Sequence, residues 1–437
     1  MPYDIIIGRD ESDKKRFGSE GLIYLGKQYV KMGQTTSMTN RILMDVARSH
    51  VVLVAGKRGS GKSYTLGVIA EELANLPKEV AQNLSCLIYD TMGIFWTMAY
   101  RNEKEMSLLK DWQMESKSLP IRIFVPYGFA AQYEERGIPV SKSFAIKASE
   151  LNVDDWCLTF NLNYIDPVAI VIERNITELK ETEEDYNIDD IIKKIKDDKE
   201  ADSVSKNAAK SLFEGARTWG LFAIKGKEGI SSRDVVEEGK TTVIDLSCYS
   251  SIGTFNVRAL VIGLLSKKIF NERMIARKTE EVEAVQHGID YLYYKSKREM
   301  PLVWILIDEA HEFLPKEGKT AATDALIQLL REGRQPGISM ALATQQPGGL
   351  SRDVMTQSDI VLSHRLTAKP DVDALNLIMQ TYLSESILTY MNNLPHLKGS
   401  AIILDDNSER IHPMRVRARM TWHGGEAPTA VKIIKRV

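Results

Sequence analysis

The stretch that decides the fold is Gly56-Lys57-Arg58-Gly59-Ser60-Gly61-Lys62-Ser63. It fits the pattern G-x-x-x-x-G-K-[ST], in which glycines let the backbone turn so that consecutive N–H groups face an anion. An apolar β-branched run at residues 51–55 precedes it, and a helix-like stretch at residues 64–76 follows it. Because the N-terminus of a helix attracts negative charge, this order of strand, loop and helix predicts a phosphate-binding loop.

Such a loop divides the work of holding a nucleotide among its side chains and its backbone. Lys62 supplies a positive charge for the β- and γ-phosphates, and the Ser63 hydroxyl is a ligand for Mg²⁺. The sequence therefore predicts ATP and Mg²⁺ as cofactors. The residues predicted to bind the nucleotide are Gly56, Arg58, Gly59, Ser60, Gly61, Lys62, Ser63 and Tyr64.

A second motif lies about 240 residues further on, where an apolar run at residues 302–307 ends in Asp308 and Glu309. This is the pattern of a Walker B strand, in which Asp308 holds Mg²⁺ through its water shell. Glu309 is then the candidate general base that polarises the attacking water. Alone, the acid pair could equally mark a helix N-terminus. Its occurrence together with the phosphate-binding loop favours the catalytic interpretation.

Further candidates surround an apolar run at residues 338–343. Gln345 follows this strand, and the carboxyl ends of parallel strands form the ligand crevice, so Gln345 could sense the γ-phosphate. It could also be a turn residue before Pro347. Arg331 and Arg334 precede the strand. Each is either a surface charge or an arginine that reaches the γ-phosphate of a neighbouring subunit.

Alternating strand-like and helical stretches predict an α/β fold with a mostly parallel sheet that helices cover on both faces. A short β-rich segment at residues 1–50 precedes the core at residues 51–437. Within the core we expect a helical insertion at about 173–235 and C-terminal strands at about 400–425. The predicted core strands lie near 51–55, 86–90, 121–125, 241–246, 302–307, 338–343, 360–363 and 401–404.

Composition sets the remaining bounds. The chain has 437 residues, and 57 Lys and Arg against 59 Asp and Glu give a net charge of -2. This balance disfavours a protein that simply coats DNA, but it permits a ring with a locally basic pore. Cys86, Cys157 and Cys248 lack metal-ligand spacing and read as reduced thiols. Apolar runs fall well short of the roughly 20 residues that span a bilayer, so we expect a cytoplasmic protein without membrane contact.

Two charged stretches leave alternatives open. Residues 173–206 carry dense mixed charge, which favours a solvated helical insertion over a contact with DNA. Residues 273–298 combine the aromatic cluster Tyr291–Tyr294 with Lys295, Lys297 and Arg298. Such interleaving serves either helix packing or nucleic acid, and helix packing is the favoured interpretation.

Residues 51–70 and 302–365 resemble the HerA-like branch of the HerA/FtsK superfamily. The C-terminal residues 399–403 and 414–419, together with His423-Gly424-Gly425, look like the strand pair that ends this family's core. The resemblance implies a RecA-like P-loop NTPase core in a hexameric ring, with ATP at subunit interfaces and duplex DNA in the pore. It carries family roles over to Lys62, Ser63, Asp308, Glu309 and Gln345. Arg334 matches the family's arginine finger better than Arg48 does.

The implied activity is that of a DNA helicase or translocase in DNA repair, acting in end processing with a nuclease. HerA proteins usually begin with a longer β-barrel that docks a NurA-like nuclease, whereas about 50 residues precede the first core strand here, which puts that partner in doubt. An alternative is a nucleotide-gated scaffold that assembles with an effector enzyme in antiviral defence. A ring that threads protein has no positive feature in the sequence.

Overall fold

A computed structural model describes residues 3–32, 35–251, 256–379, 387–426 and 430. Within these ranges, thirteen strands form one sheet. The strands are β1 (Ile5–Ile7), β2 (Leu22–Met32), β3 (Thr35–Asp45), β4 (Val51–Ala55), β5 (Leu84–Asp90), β6 (Arg122–Pro126), β7 (Lys142–Phe144), β8 (Thr241–Asp245), β9 (Leu302–Ile307), β10 (Ile338–Thr344), β11 (Ile360–His364), β12 (Ser400–Asp405) and β13 (Arg410–Val416).

The sheet has a parallel centre and an antiparallel flank. Its order is β1-β3-β2-β13-β12-β11-β4-β10-β9-β5-β8-β6-β7, and every pair from β11 to β7 is parallel. From β11 to β2 the neighbours are antiparallel, and so is the β2–β3 pair. The predicted core strands are confirmed. Their continuous apolar runs suit strands that are buried on both faces.

Helices occupy the connections between the strands. They are α1 (Glu11–Phe17), α2 (Lys62–Ala74), α3 (Lys78–Ala81), α4 (Met106–Asp111), α5 (Ala130–Glu135), α6 (Val153–Phe160), α7 (Pro167–Thr182), α8 (Ile188–Asp197), α9 (Ser203–Arg217), α10 (Ser232–Val235), α11 (Val257–His287), α12 (Tyr291–Tyr294), α13 (Thr323–Glu332), α14 (Arg352–Gln357), α15 (Lys369–Met379) and α16 (Ile387–Asn392). None of those in the described part of the chain combines the length and the apolarity that crossing a membrane requires.

Successive residues of the central strands feed two hydrophobic cores, one on each face of the sheet. Leu53 of β4 packs into the core that α6–α9, α11 and α13 cover, whereas Val52 and Val54 pack into the core shared with α2 and the N-terminal strands. This alternation follows from the two-residue period of a strand. Packing of β4 and α2 in the same core holds the first turn of α2 near the carboxyl end of β4, with the loop at residues 56–61 between them.

The charged stretch at residues 173–206 folds into parts of α7, α8 and α9. In α8 the four isoleucines, Ile188, Ile191, Ile192 and Ile195, are buried. Their spacing of three and four residues places them on one helical face, so the lysines and aspartates between them face outward. In the second stretch Tyr291 is 5% exposed and Tyr293 is 81% exposed, so only part of that aromatic cluster packs inside.

A buried ionic cluster joins the N-terminal strands to the parallel sheet. His50, immediately before β4, is 4% exposed. Its Nδ1 lies 2.6 Å from Asp359 Oδ2, and its Nε2 lies 3.1 Å from Asp45 Oδ2 at the end of β3. Arg9 Nε donates to Asp45 Oδ1 at 2.8 Å. Two carboxylates and two basic groups thus neutralise one another; the side chains of Arg9, Asp45 and His50 are buried, whereas that of Asp359 is 32% exposed.

Candidate nucleotide-binding site

The strand order brings together motifs that are far apart in the sequence. Strand β10 lies between β4 and β9, with Thr344 opposite Ala55 and Leu342 opposite Ile307. All three strands are parallel, so their carboxyl ends meet at one edge of the sheet. The loop at residues 56–63, the end of β10 and the carboxylates after β9 therefore face the same crevice.

The loop has the backbone that its glycines predict. Gly59 and Gly61 have φ values of +73° and +117°, conformations that side chains disfavour. At Gly56 a Cβ would lie 2.4 Å from Ser60 Oγ and 2.7 Å from His364 Cβ, so only glycine fits there. Ser60 Oγ is buried without a hydrogen-bond partner in the described part of the chain. An unpaired buried hydroxyl in an anion cradle is consistent with a missing polar ligand.

Lys62 begins α2 and is 6% exposed. Its Nζ lies 3.4 Å from the Lys57 carbonyl, a long and weak hydrogen bond. Burial lowers the pKa of Lys62, and the charges of Glu309 and Asp308 partly offset that effect. The charges of Glu309 and Asp308 therefore offset only part of the cost of burying the ammonium. A phosphate bound beside Lys62 would supply the remaining negative charge.

Asp308 is 2% exposed and follows β9 directly. Burial raises its pKa, while a hydrogen bond from the Ser63 hydroxyl acts in the opposite direction. Ser63 and Asp308, the two predicted Mg²⁺ ligands, are thus already adjacent. A hydroxyl beside a carboxylate is a suitable oxygen pair for a Mg²⁺ ion that keeps several waters.

Glu309 has a strained backbone, with φ 51° and ψ 45° in the left-handed region. Its Oε2 is buried and has no hydrogen-bond partner among the described residues. Burial, followed by the charge of Asp308, raises its pKa to about 7. Strain and an unpaired carboxylate at one residue are typical of functional sites, and a pKa near 7 suits a general base.

Two residues near Glu309, His311 and Thr344, were missed from the sequence. His311 Nδ1 lies 3.6 Å from Glu309 Oε2 and 3.2 Å from Thr344 Oγ1, so this imidazole bridges the ends of β9 and β10. Burial lowers its pKa, which favours the neutral ring. The signal was available, because His311 follows Glu309 by two residues. Gln345, a candidate from the sequence, comes directly after Thr344 at the crevice and is half-buried.

His364 was also missed, and it lies beneath the loop at the end of β11. It is fully buried, with Nε2 2.9 Å from Thr65 Oγ1 and Nδ1 3.1 Å from the Ser400 carbonyl. Burial lowers the pKa of His364 to about 4. The neutral ring therefore donates to β12 and accepts from α2, and it supports the glycines from below.

The three candidate arginines lie apart from this crevice. Arg334 lies between α13 and β10, at the opposite edge of the sheet; its side chain is exposed and forms no ion pair with the described residues. Arg331 Nε donates to Asp353 at 2.7 Å, and Arg48 forms an ion pair with Asp13 at 2.7 Å. Of the three, Arg334 is therefore the arginine whose guanidinium is available to contact another molecule.

The side chains present fit a magnesium nucleotide. The loop offers backbone N–H groups, the start of a helix and Lys62 to the phosphates, and Ser63 with Asp308 offers oxygens to the metal. Arg58 is exposed at the rim of the loop, and Tyr64 lies in the first turn of α2. Fold and site together define a protein of the P-loop NTPase class.

The comparisons agree with this class. The structure matches VirB4 of Thermoanaerobacter pseudethanolicus with a TM-score of 0.55 at 12% identity, over 92% of this chain and 97% of that one. The family model described as "Helicase HerA, central domain" matches residues 30–269. That match covers more than half of the chain, which therefore belongs to the HerA central-domain family.

Relatives in this family are distant. A probable helicase of Methanocaldococcus jannaschii is 22% identical over 90% of this chain and 66% of its own length. The DNA double-strand break repair helicase HerA of Sulfurisphaera tokodaii is 26% identical over 88% of this chain and 67% of its own length. The chain thus spans about two thirds of the length of these two relatives.

Proposed function

We propose that this chain is the subunit of a hexameric ring that hydrolyses ATP and uses the energy to translocate along or unwind DNA. The proposed setting is DNA end processing in the cytoplasm. Membership of the HerA central-domain family supports the motor, and the relatives named as helicases support DNA as the substrate.

The observation that carries the ATPase proposal is the state of Glu309. Its strained backbone, its unpaired Oε2 and its raised pKa occur next to a carboxylate that already contacts Ser63. A purely structural role would not require a strained backbone together with an unpaired buried carboxylate oxygen. A general base needs a free oxygen, close to the metal ligand but not bound to the metal.

Each side chain at the crevice then has a distinct task. Lys62 neutralises phosphate charge, Ser63 and Asp308 hold the metal, and Glu309 takes the proton of the attacking water. Mg²⁺, when bound, neutralises charge on the phosphate oxygens. Gln345 is proposed to orient the water, since it follows β10 between the loop and Glu309.

The DNA proposal is tested with the wild-type chain, Glu309→Gln and the control Glu317→Gln, which changes an exposed acid a few residues further on. ATP hydrolysis is measured with and without duplex DNA, alongside displacement of a triplex-forming strand. We expect stimulation and displacement in the wild type and the control, and neither in Glu309→Gln. ATP-dependent assembly without DNA-stimulated hydrolysis would refute the motor and favour a nucleotide-gated scaffold for a defence effector.

We further propose that Arg334 acts in the active site of the neighbouring subunit. Its exposed guanidinium lies at the sheet edge opposite its own loop, so it is well placed to meet another copy. Arginine fingers contribute about 10³–10⁵ in rate. Mixed rings of Arg334→Ala and Lys62→Ala should regain activity that neither parent has, because one supplies the loop and the other the arginine.

The matched control is Arg331→Ala, which removes an arginine held by Asp353. Rings made of Arg331→Ala subunits alone should hydrolyse ATP, without a second variant in the mixture. If subunit exchange is demonstrated and the Arg334→Ala and Lys62→Ala mixture stays inactive at every ratio, the assignment in trans is wrong.

A further inference from the structure

A cavity of about 560 Å³ opens beside the phosphate-binding loop. Residues 59–65 form one wall, and neither Asp308 nor Glu309 contributes to the lining. The cavity therefore lies on the side of the loop away from the carboxylates. Its volume is within the range of about 300–1,000 Å³ that small-molecule sites occupy.

The position of the cavity follows the shape of a nucleoside triphosphate. The terminal phosphates must lie between Lys62 and the carboxylates, since metal and general base act there. The nucleoside at the other end of the chain then points away from Asp308, past the first turn of α2. The cavity is the space that lies in this direction.

The cavity lining combines some apolar surface with polar and charged side chains, among them Lys398, Arg415 and Glu105. Half-buried Leu108 provides apolar surface suited to a planar base, and Trp112, which is 5% exposed, adds little to it. Tyr64 Oη and Asn102 Nδ2 both donate to the same oxygen of Glu105, Oε2, at 3.1 and 3.0 Å. These two bonds orient the carboxylate and leave its Oε1 available to accept from a ligand.

The segment that follows β13 closes the cavity, and a buried ionic cluster fixes it to α2. The Arg419 amide donates to Tyr64 Oη at 2.7 Å. Glu71 of α2 is fully buried, and its carboxylate contacts Arg417 Nη1 at 2.8 Å and Arg419 Nε at 3.2 Å. The wall is therefore rigidly attached to the helix that begins at Lys62.

We propose that this cavity binds the nucleoside half of the nucleotide and that Glu105 accepts a hydrogen bond from a ribose hydroxyl. The inference rests on the proposed ATP-binding function and adds a specificity-determining residue to it. Ribose is favoured over the base as the donor because the bond from Tyr64 holds Glu105 close to the first turn of α2. The ribose follows the phosphates next to this turn, and the base then lies further out, on the side of Leu108.

The test is calorimetric binding of ATP, 2′-deoxy-ATP and 3′-deoxy-ATP to the wild-type chain, Glu105→Ala and Glu103→Ala. Glu103 is an exposed acid outside the cavity lining and serves as the control. Because hydrogen bonds to charged groups are strong, we expect Glu105→Ala to weaken ATP binding about tenfold or more. It should leave the affinity for at least one deoxy analogue at the wild-type value, and the control should change nothing.

Equal affinity of the wild type for ATP and both analogues would overturn the proposal, and so would an equal loss for all three in Glu105→Ala. Thermal melting checks that Glu105→Ala folds. If it does not, Glu105→Gln, which keeps an acceptor for Tyr64 and Asn102, must weaken ATP more than at least one deoxy analogue, or the proposal fails. Absence of nucleotide binding in the wild type would instead refute the proposed function.

Discussion

Stability at alkaline pH should depend on one buried imidazole, His50. Burial alone would lower its pKa, but the hydrogen bonds and charges of Asp359 and Asp45 outweigh burial and raise the pKa from 6.5 to about 9. A group whose pKa is raised by folding stabilises the folded state fully below its unfolded pKa, and this stabilisation is lost as the pH rises through its folded pKa. The sensitive window is therefore between about pH 6.5 and slightly above pH 9.

The magnitude follows from the two pKa values. At about 1.36 kcal/mol per pKa unit, the difference between them corresponds to about 3 kcal/mol of unfolding free energy. This is an upper value, because the Asp359 side chain is 32% exposed and its interaction is partly screened, whereas those of His50 and Asp45 are 3% and 0% exposed. A loss of this size is a substantial fraction of the roughly 5–15 kcal/mol that stabilises a typical domain.

The assay is urea unfolding of the wild-type chain and of His50→Gln at several pH values. Their difference isolates His50, since tyrosines, lysines and cysteines titrate in both proteins. We expect the difference to shrink by up to about 3 kcal/mol between about pH 6.5 and pH 10. His412→Gln is the matched control, because burial lowers the pKa of His412 and it stays neutral throughout this window. A pH-independent difference between wild type and His50→Gln would show that His50 is uncharged in the folded state.

Three further outcomes are expected. Lys62→Ala should abolish tight ATP binding while the protein stays folded with a cooperative melting transition, whereas Lys57→Ala, an exposed change in the same loop, should bind normally; unchanged affinity in Lys62→Ala would refute the phosphate-binding assignment. Glu309→Gln should bind Mg²⁺·ATP yet hydrolyse it roughly 10²–10⁴-fold more slowly. If Asp308→Asn and Glu309→Gln weaken ATP binding equally, the division between metal ligand and base is wrong. Glu71→Gln should cost about 3–5 kcal/mol in urea unfolding, because buried Arg419 loses its counter-charge and Arg417 keeps only its ion pair with Glu72; a loss below about 1 kcal/mol would contradict that reasoning.

The sequence by itself determined the features that contiguous residues control. The loop at residues 56–63 needs its glycines, its lysine and its serine at fixed spacing, and the strand and helix around it are encoded next to it. The apolar runs before Thr344 and Asp308 likewise specify strands buried on both faces, because such strands cannot expose a polar side. The mostly parallel α/β fold was therefore predictable, and so was the placing of Lys62, Ser63, Asp308 and Glu309 in one candidate site, whereas His311 and His364 were missed.

Only the tertiary structure decided how these pieces meet. The order β4-β10-β9 depends on contacts between residues almost 300 positions apart, and no local pattern specifies it. The left-handed backbone of Glu309, the two carboxylates around His50 and the partners of Glu105 arise for the same reason. Each depends on contacts between separate elements, and burial in the packed chain raises the pKa of Glu309 and leaves its Oε2 unpaired among the described residues. Burial is a property of the whole fold, so a linear sequence of residue types does not reveal it.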